Sequence, residues 1–309
     1  MLCRPQGGLN DILSQIEACR QYAETFNRTL IVDTAYEGSS TFHDDLRNYV
    51  QSRDPRIVPG LNRARFPIEA MTVAPGWLRG RIDSYRAELR HDAQESARLG
   101  RSARTWQDVE TGQALSFDFS RDHDEQLLVH HQMGGRNDSV VALARMRLRP
   151  ALASELKRRL DLIGGPYTAI HVRHTDYRSL YERRLAKLQA SPPAKLFVAT
   201  DNAYVLGEFR AALGANRVFS FARLPGGGKP LHTERLDSEA TFERNCDAFL
   251  DLLMLALSTT FIRVRLDEKH PFSGYTLLAL CLFKAPNAVR DIVGRTDIDY
   301  DRLPQFQST

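Results

Sequence analysis

The apolar positions change their period along the chain. Ile12, Ile16, Cys19, Ala23 and Phe26 recur at alternating spacings of four and three residues, which places them on one helical face. Asn10 or Asp11 stands where that helix would be capped. RTLIVDT, residues 28–34, reads as a buried strand ending in Asp33. QLLVHHQM, residues 126–133, reads as another strand, and the GGRNDS after it as a turn into a helix over 139–147. Between them the periodicity is lost. Residues 35–125 are rich in Arg, Asp, Gly and Pro and hold both tryptophans, Trp77 and Trp106. Short helices and irregular loops are expected there, and long polar loops can shape a binding cleft.

Past Arg149 the pattern becomes regular. Pro150 opens a helix over 150–163, and Gly164-Gly165 stops it. Strands are predicted at 167–173, 195–201, 217–221 and 260–265, and helices at about 178–190, 202–213, 239–258 and 274–284. Strands alternating with helices imply parallel βαβ units and a covered sheet. The fold class is α/β, and the expected boundary between the two halves lies near Arg149–Pro150.

Composition narrows this little. The chain has 309 residues, room for two domains of the usual length of roughly 150. A net charge of +4 and a pI near 8.9 suit an anionic ligand. No dense Lys/Arg run with interleaved aromatics calls for nucleic acid. Cys3, Cys19, Cys246 and Cys281 form no C-x-x-C pair, so zinc-ribbon and dithiol redox chemistry lack support. Cys19, Cys246 and Cys281 fall in apolar helical patterns as small core residues would, in a reducing compartment. MLCRPQGGLND lacks the apolar core of about 7–15 residues that a signal peptide needs. No window approaches about 18 uninterrupted apolar residues. A cytoplasmic, bacterial location is the expectation, with peripheral membrane contact left open.

The chemistry gathers at strand ends, where open α/β sheets bind ligands. Strand 167–173 runs into Arg173, His174, Thr175 and Asp176; strand 195–201 delivers Thr200 and Asp201; strand 260–265 leads to Ser273-Gly274 at a helix start. An arginine fork holds two phosphate oxygens at once. A Ser-Gly pair opening a helix offers a hydroxyl, free backbone N–H groups and the positive end of the helix dipole. Together they form a pyrophosphate seat. Asp201 and Asp251 are candidate acceptors for ribose hydroxyls or a base edge. Plainer roles stand beside these: Asp201 or Ser273 as simple helix caps, Asp251 as a solvated helix residue, and His171 as a satisfied core histidine. An arginine at a buried strand end needs an anionic partner. GGGKP, residues 226–230, lacks the Ser or Thr that a phosphate loop needs after its lysine. DHDE, residues 122–125, with His130 and His131 matches no standard metal spacing.

HVRHTD, residues 171–176, resembles the H-x-R-x-x-D signature of the fucosyltransferase superfamily that uses GDP-sugar donors. That group includes α1,6-fucosyltransferases, rhizobial nodulation fucosyltransferases and protein O-fucosyltransferases. FVATD (197–201), residues 251–282 and QGGLNDIL (6–13) resemble its other motifs, in the family's order. His174 departs from the "HVRR" of the α1,6 branch, and the loop over 265–272 looks longer than in some members.

The resemblance implies a GT-B fold: two Rossmann-like domains facing a cleft, with 1–149 on the acceptor side and 150–309 holding the donor. It implies that Arg173, with Ser273 and the Gly274 N–H, contacts the β-phosphate of GDP-fucose. His171 and Asp251 fall where the family binds guanosine. Asp176 and Asp201 match motif acids, and Gly7, Gly8 and Asn10 line the cleft. The expected reaction is transfer of fucose from GDP-fucose to a glycan or protein hydroxyl, with inversion and no metal cofactor. Asp176 or Asp11 is the general base. A non-catalytic nucleotide-sugar- or glycan-binding protein is the alternative. A phosphohydrolase using Arg173-His174 is the remote one, since that class places R-H-G near its N-terminus.

Overall fold

The computed structural model describes residues 1–36, 41–93, 96–97, 103–134, 138–224, 236–266 and 272–300. The chain divides into two compact units, Met1–Arg145 and Met146–Thr309. GGGKP lies outside the described residues, as does part of the loop before Ser273.

The N-terminal unit is built from strand β1 (Leu2–Cys3), helix α1 (Leu9–Thr25), strands β2 (Leu30–Val32), β3 (Val50–Ser52), β4 (Ile57–Val58), β5 (Val73–Ala74), β6 (Ala87–Asp92), β7 (Ala103–Asp108) and β8 (Leu127–His130), and helix α2 (Ser139–Ala144). Five strands form a sheet of order β4-β2-β1-β8-β5, with each neighbouring pair parallel. Its short strands are apolar except for His130, which ends β8 and is itself buried. One face packs Leu2, Ile31, Val73, Leu127 and Val129 against Ile68, Leu78, Ile82, Tyr85 and Leu115. Helix α1 buries Ile12, Ile16, Cys19 and Ala23, the stripe its period predicts.

Three expectations need correction here. Helix α1 is capped by Gly8, whose extended backbone precedes the first turn, so neither Asn10 nor Asp11 is its cap; Asp11 instead sits inside that turn. Within 35–125, β6 and β7 form an antiparallel hairpin from Ala87↔Asp108 to Asp92↔Ala103. Alternation puts Glu88, Arg90 and Asp92 on one face and His91 with Leu89 on the other, so charged or polar groups on both faces hid the period-2 signal. The helix expected over 139–147 ends at Ala144, and β9 (Met146–Leu148) begins two residues later.

The C-terminal unit continues through α3 (Pro150–Ile163), β10 (Thr168–Val172), α4 (Tyr181–Ala190), β11 (Leu196–Thr200), α5 (Ala203–Leu213), β12 (Val218–Phe219), α6 (Ser238–Ala256), β13 (Thr260–Arg263), α7 (Gly274–Phe283) and α8 (Pro286–Val293). Its parallel sheet has the order β12-β11-β10-β13. Pro150 opens α3 and Gly164 closes it at φ 68°, a left-handed turn that glycine makes without strain. Strand alternation sorts β10 by face. Ile170 and Val172 join Leu196 and Val198 under Tyr181, Val205 and Phe209 of α4 and α5. Ala169 and His171 therefore point to the opposite face. Residues 249–256 of α6 are all buried, which explains an apolar run that only Asp251 interrupts.

Among the described residues no helix is long and apolar enough to cross a membrane. Cys3 and Cys19 are buried free thiols, whereas Cys281 is exposed, contrary to the core position its pattern implied.

Candidate functional site

The site of the C-terminal unit is built where β10 and β11 end and α7 begins. The anionic partner of Arg173 is internal, the carboxylate of Asp176. Its Nε donates to Asp176 Oδ1 at 2.7 Å, and Nη2 closes a second bond to Oδ2. Arg173 and Asp176 keep 27% and 28% of their side chains exposed, so the fork remains reachable from solvent. Burial opposes the charge on Arg173, and the Asp176 carboxylate more than offsets this, lifting its pKa above the ordinary arginine value. The guanidinium also lies 5.0 Å from the centre of the Tyr177 ring.

The turn after Arg173 is fastened to the end of β11. Asp201 Oδ1 accepts the His174 N–H at 2.8 Å, and its Oδ2 accepts the Thr175 hydroxyl at 2.7 Å. Asn202 Nδ2 donates to the His174 carbonyl at 2.9 Å. Asn202 also caps α5, its Oδ1 accepting the Tyr204 and Val205 N–H groups. Asp201 is thus not the helix cap. It is the clamp that aims the residue before the turn. His174 itself is turned inward, within 3.2 Å of the Ser179 hydroxyl and edge-on to Tyr181.

On the other face of β10, His171 Nδ1 lies 2.7 Å from Thr276 Oγ1. Thr276 Oγ1 is 3.0 Å from Ser273 Oγ, and Ser273 Oγ accepts the Thr276 N–H at 3.2 Å as the cap of α7. The imidazole packs on the Tyr275 ring at 4.9 Å. Burial, with the nearby Arg173 charge, drives the His171 pKa down to about 3, so the ring is neutral. A neutral imidazole and two hydroxyls form a relay whose proton direction an incoming ligand can set.

Asp251 is not a solvated helix residue. It is buried on α6, 3.4 Å from Arg159 Nη1. Arg159 is shared, its Nε reaching Glu155 at 3.0 Å and its Nη2 the Asp247 carboxylate. Burial dominates at Asp251. The Arg159 guanidinium, shared with Glu155 and Asp247, offsets it only in part, Asp247 adds to it, and the pKa rises to about 8. At neutral pH this carboxyl holds a proton and can both donate and accept.

In the N-terminal unit the residues singled out lie together around the start of α1. Gly7 has φ 95°, and its N–H donates to Thr41 Oγ1 at 3.0 Å. Asp11 Oδ2 accepts the Gly8 N–H at 3.2 Å. Asn10 Oδ1 accepts the Ser139 hydroxyl at 2.7 Å. His130 and His131 are buried, at 2.7 Å from Gln15 Oε1 and 3.0 Å from the Tyr85 hydroxyl. Among the described residues no group of three or more His, Cys, Asp or Glu is placed to hold a metal.

Sequence reasoning missed Thr276, Arg159 and Asn202. Thr276 follows Ser273 by three residues, which is capping spacing. Arg159 continues the stripe Leu152, Leu156, Ile163 of α3, and a charge inside an apolar stripe was the available signal.

Neither a family model nor a curated protein sequence matches the chain. Among solved structures it is similar to NodZ α-1,6-fucosyltransferase co-crystallized with GDP. That match has a TM-score of 0.57 and 19% identity, and covers 91% of this chain and 92% of that one. The fucosyltransferase NodZ from Bradyrhizobium matches at TM-score 0.56 and 20% identity, with the same coverage. The likeness read from the motifs therefore extends, at the level of fold, over most of the chain, which is an α/β protein with the parallel-sheet fold of these fucosyltransferases.

Proposed function

We propose that the chain is an inverting glycosyltransferase that moves fucose from GDP-fucose to a hydroxyl of a glycan or protein acceptor. The observation that carries this reading is the convergence of Arg173, the Ser273–Gly274 helix start and Asp251 in one parallel-sheet unit, on the fold of an enzyme crystallised with GDP. In this reading the two units form a GT-B pair, residues 1–149 serving the acceptor and residues 150–309 the donor. The protein works in the cytoplasm.

The acceptor oxygen attacks the anomeric carbon as the bond to the diphosphate breaks on the opposite side. Negative charge then builds on the departing phosphate. The Arg173 fork exchanges Asp176 for two phosphate oxygens and stabilises that charge as it forms. The Ser273 hydroxyl and the first N–H groups of α7 add the positive end of a ten-residue helix. His171 and protonated Asp251 recognise the nucleoside, whose hydroxyl and base-edge groups need both donors and acceptors. Asp201 holds the turn. Gly7, Gly8 and Asn10 present the N-terminal loop. Asp176, released by Arg173, or Asp11 takes the acceptor's proton. With guanidinium and helix dipole neutralising the diphosphate, no metal is required, so turnover is expected to survive EDTA.

GDP release from GDP-fucose with an acceptor mixture tests this. Arg173→Ala is expected to lose roughly 10²–10³ in rate, the usual effect of removing one such donor. Arg173→Lys is expected to fall nearly as far, because an ammonium cannot make the two-point contact. Turnover close to wild type in both variants removes Arg173 from the chemistry.

A further inference from the structure

A cavity of about 540 Å³ opens in the N-terminal unit, within the roughly 300–1,000 Å³ typical of small-molecule sites. It lies at the carboxyl edge of that unit's own sheet: Arg4 directly follows β1 and Asp33 directly follows β2. This is where parallel sheets present ligand-binding groups.

Its charged lining is balanced. Arg4, Arg63 and Arg86 stand against Asp33, Asp45 and Asp83. A polyanion would meet as many carboxylates as guanidiniums. A purely apolar ligand would strip water from all six without replacing it. A neutral ligand with many hydroxyls suits the lining, since each hydroxyl both donates to a carboxylate and accepts from a guanidinium.

The floor is preorganised and incompletely satisfied. Arg4 is fully buried, with Nε on Asp33 at 2.8 Å and Nη1 on the Ile82 carbonyl at 2.6 Å. Its Nη2 makes no hydrogen bond among the described residues, and Asp83 Oδ1 stands 3.7 Å away. A ligand hydroxyl entering beside Asp83 would supply the missing acceptor. Tyr36 is half-buried over Arg4, 3.6 Å from guanidinium to ring centre. Its hydroxyl is fixed by a 2.5 Å bond to the Tyr85 carbonyl. It brings an aromatic, amphipathic surface to the same wall.

We propose that this cavity is a saccharide site that takes a neutral sugar unit, a second binding site separate from the nucleotide-facing groups of the C-terminal unit. Calling that sugar the acceptor rests on the transferase reading; the binding itself does not.

The full chain is screened on an array of neutral oligosaccharides beside their carboxylated counterparts, and the best neutral ligand is titrated by calorimetry. Wild type is expected to retain neutral glycans. Asp83→Asn and Tyr36→Ala are each expected to weaken binding roughly tenfold, the loss of a hydrogen bond to a charged group or of a central aromatic contact. The melting-point shift produced by GDP should remain in both variants. If Tyr36→Ala does not fold, Asp83→Asn decides. Retention of carboxylated glycans alone, retention of no glycan, or wild-type affinity in the folded variants overturns the proposal. Glycan binding lost in the variants, in a chain that GDP-fucose never stabilises, supports the saccharide site and sinks the transferase reading.

Discussion

Replacing Asp201 separates two roles that look alike in sequence. If the carboxylate serves the donor directly, its loss weakens nucleotide binding and leaves stability alone. If it is a clamp, the reverse holds. The structure engages both of its oxygens, with the His174 N–H at 2.8 Å and the Thr175 hydroxyl at 2.7 Å. A hydrogen bond to a charged group contributes about 1.5–3 kcal/mol, and a neutral one about 0.5–1.5. Asp201 is only half-buried, so the low end of each range applies. Asp201→Ala removes both bonds and should cost about 3 kcal/mol, a melting-point drop of roughly 6–12 °C. Asp201→Asn keeps an acceptor for His174 and offers its amide to Thr175, so two charged bonds become two neutral ones and it should cost about 2 kcal/mol, or roughly 4–8 °C. Denaturant unfolding and GDP titration are measured on the same samples. Asp201→Asn should hold GDP within a few-fold of wild type, because Arg173 still leaves β10 in the right direction. A folded Asp201→Asn of unchanged stability that loses GDP by a hundredfold would refute the clamp.

Gly7→Ala should destabilise by about 1–3 kcal/mol, since φ is +95° and a Cβ would sit 2.7 Å from Asp11 Oδ2 and 2.9 Å from Met133 Cγ. Gly8→Ala, whose Cβ would find nothing closer than 4.0 Å, should cost only about 0.5 kcal/mol in chemical denaturation. Two buried groups of the C-terminal unit contribute opposite slopes to the pH dependence of stability. His171, lowered from 6.5 to about 3, binds its proton less well when folded, so its contribution to stability grows as pH rises across that interval. Asp251, raised from 3.8 to about 8, binds its proton more tightly when folded, so stability falls as pH rises across its interval. Between about pH 6.5 and 8 the Asp251 slope, at most about 1.4 kcal/mol per pH unit, is opposed by the Met1 amino group, which burial lowers from 8.0 to about 6. Asp251→Asn should remove the falling component of the denaturant midpoint over that window. An unchanged slope would show that the carboxyl is already ionised there.

Periodicity alone carried the regular half of the fold. Most of the strands and helices after Pro150 emerge within a residue or two of their expected bounds, though α4 begins at Tyr181 and α8 carried no expectation, because their apolar patterns are dense and have explicit stops such as Gly164. Arg173 was legible for the same reason: a charge at the end of an apolar strand must face a ligand or a counter-ion. The hairpin β6–β7 was not legible, because charged and polar residues fall on both of its faces and its buried residues are too few to set a period.

The chain's local order thus determined which residues reach the ends of strands. Only tertiary packing decided what they meet there. Asp201 and Asn202 are neighbours in sequence, and either side chain suits a helix cap; the distance to His174 across the β10–β11 register gave the cap to Asn202 and the clamp to Asp201. Asp251 reads as any helical carboxylate until α6 is seen packed against α3, where lost water and the nearby Asp247 raise its proton affinity more than Arg159 lowers it. Hydrogen bonds and desolvation depend on groups dozens of residues away, and no window of sequence contains them.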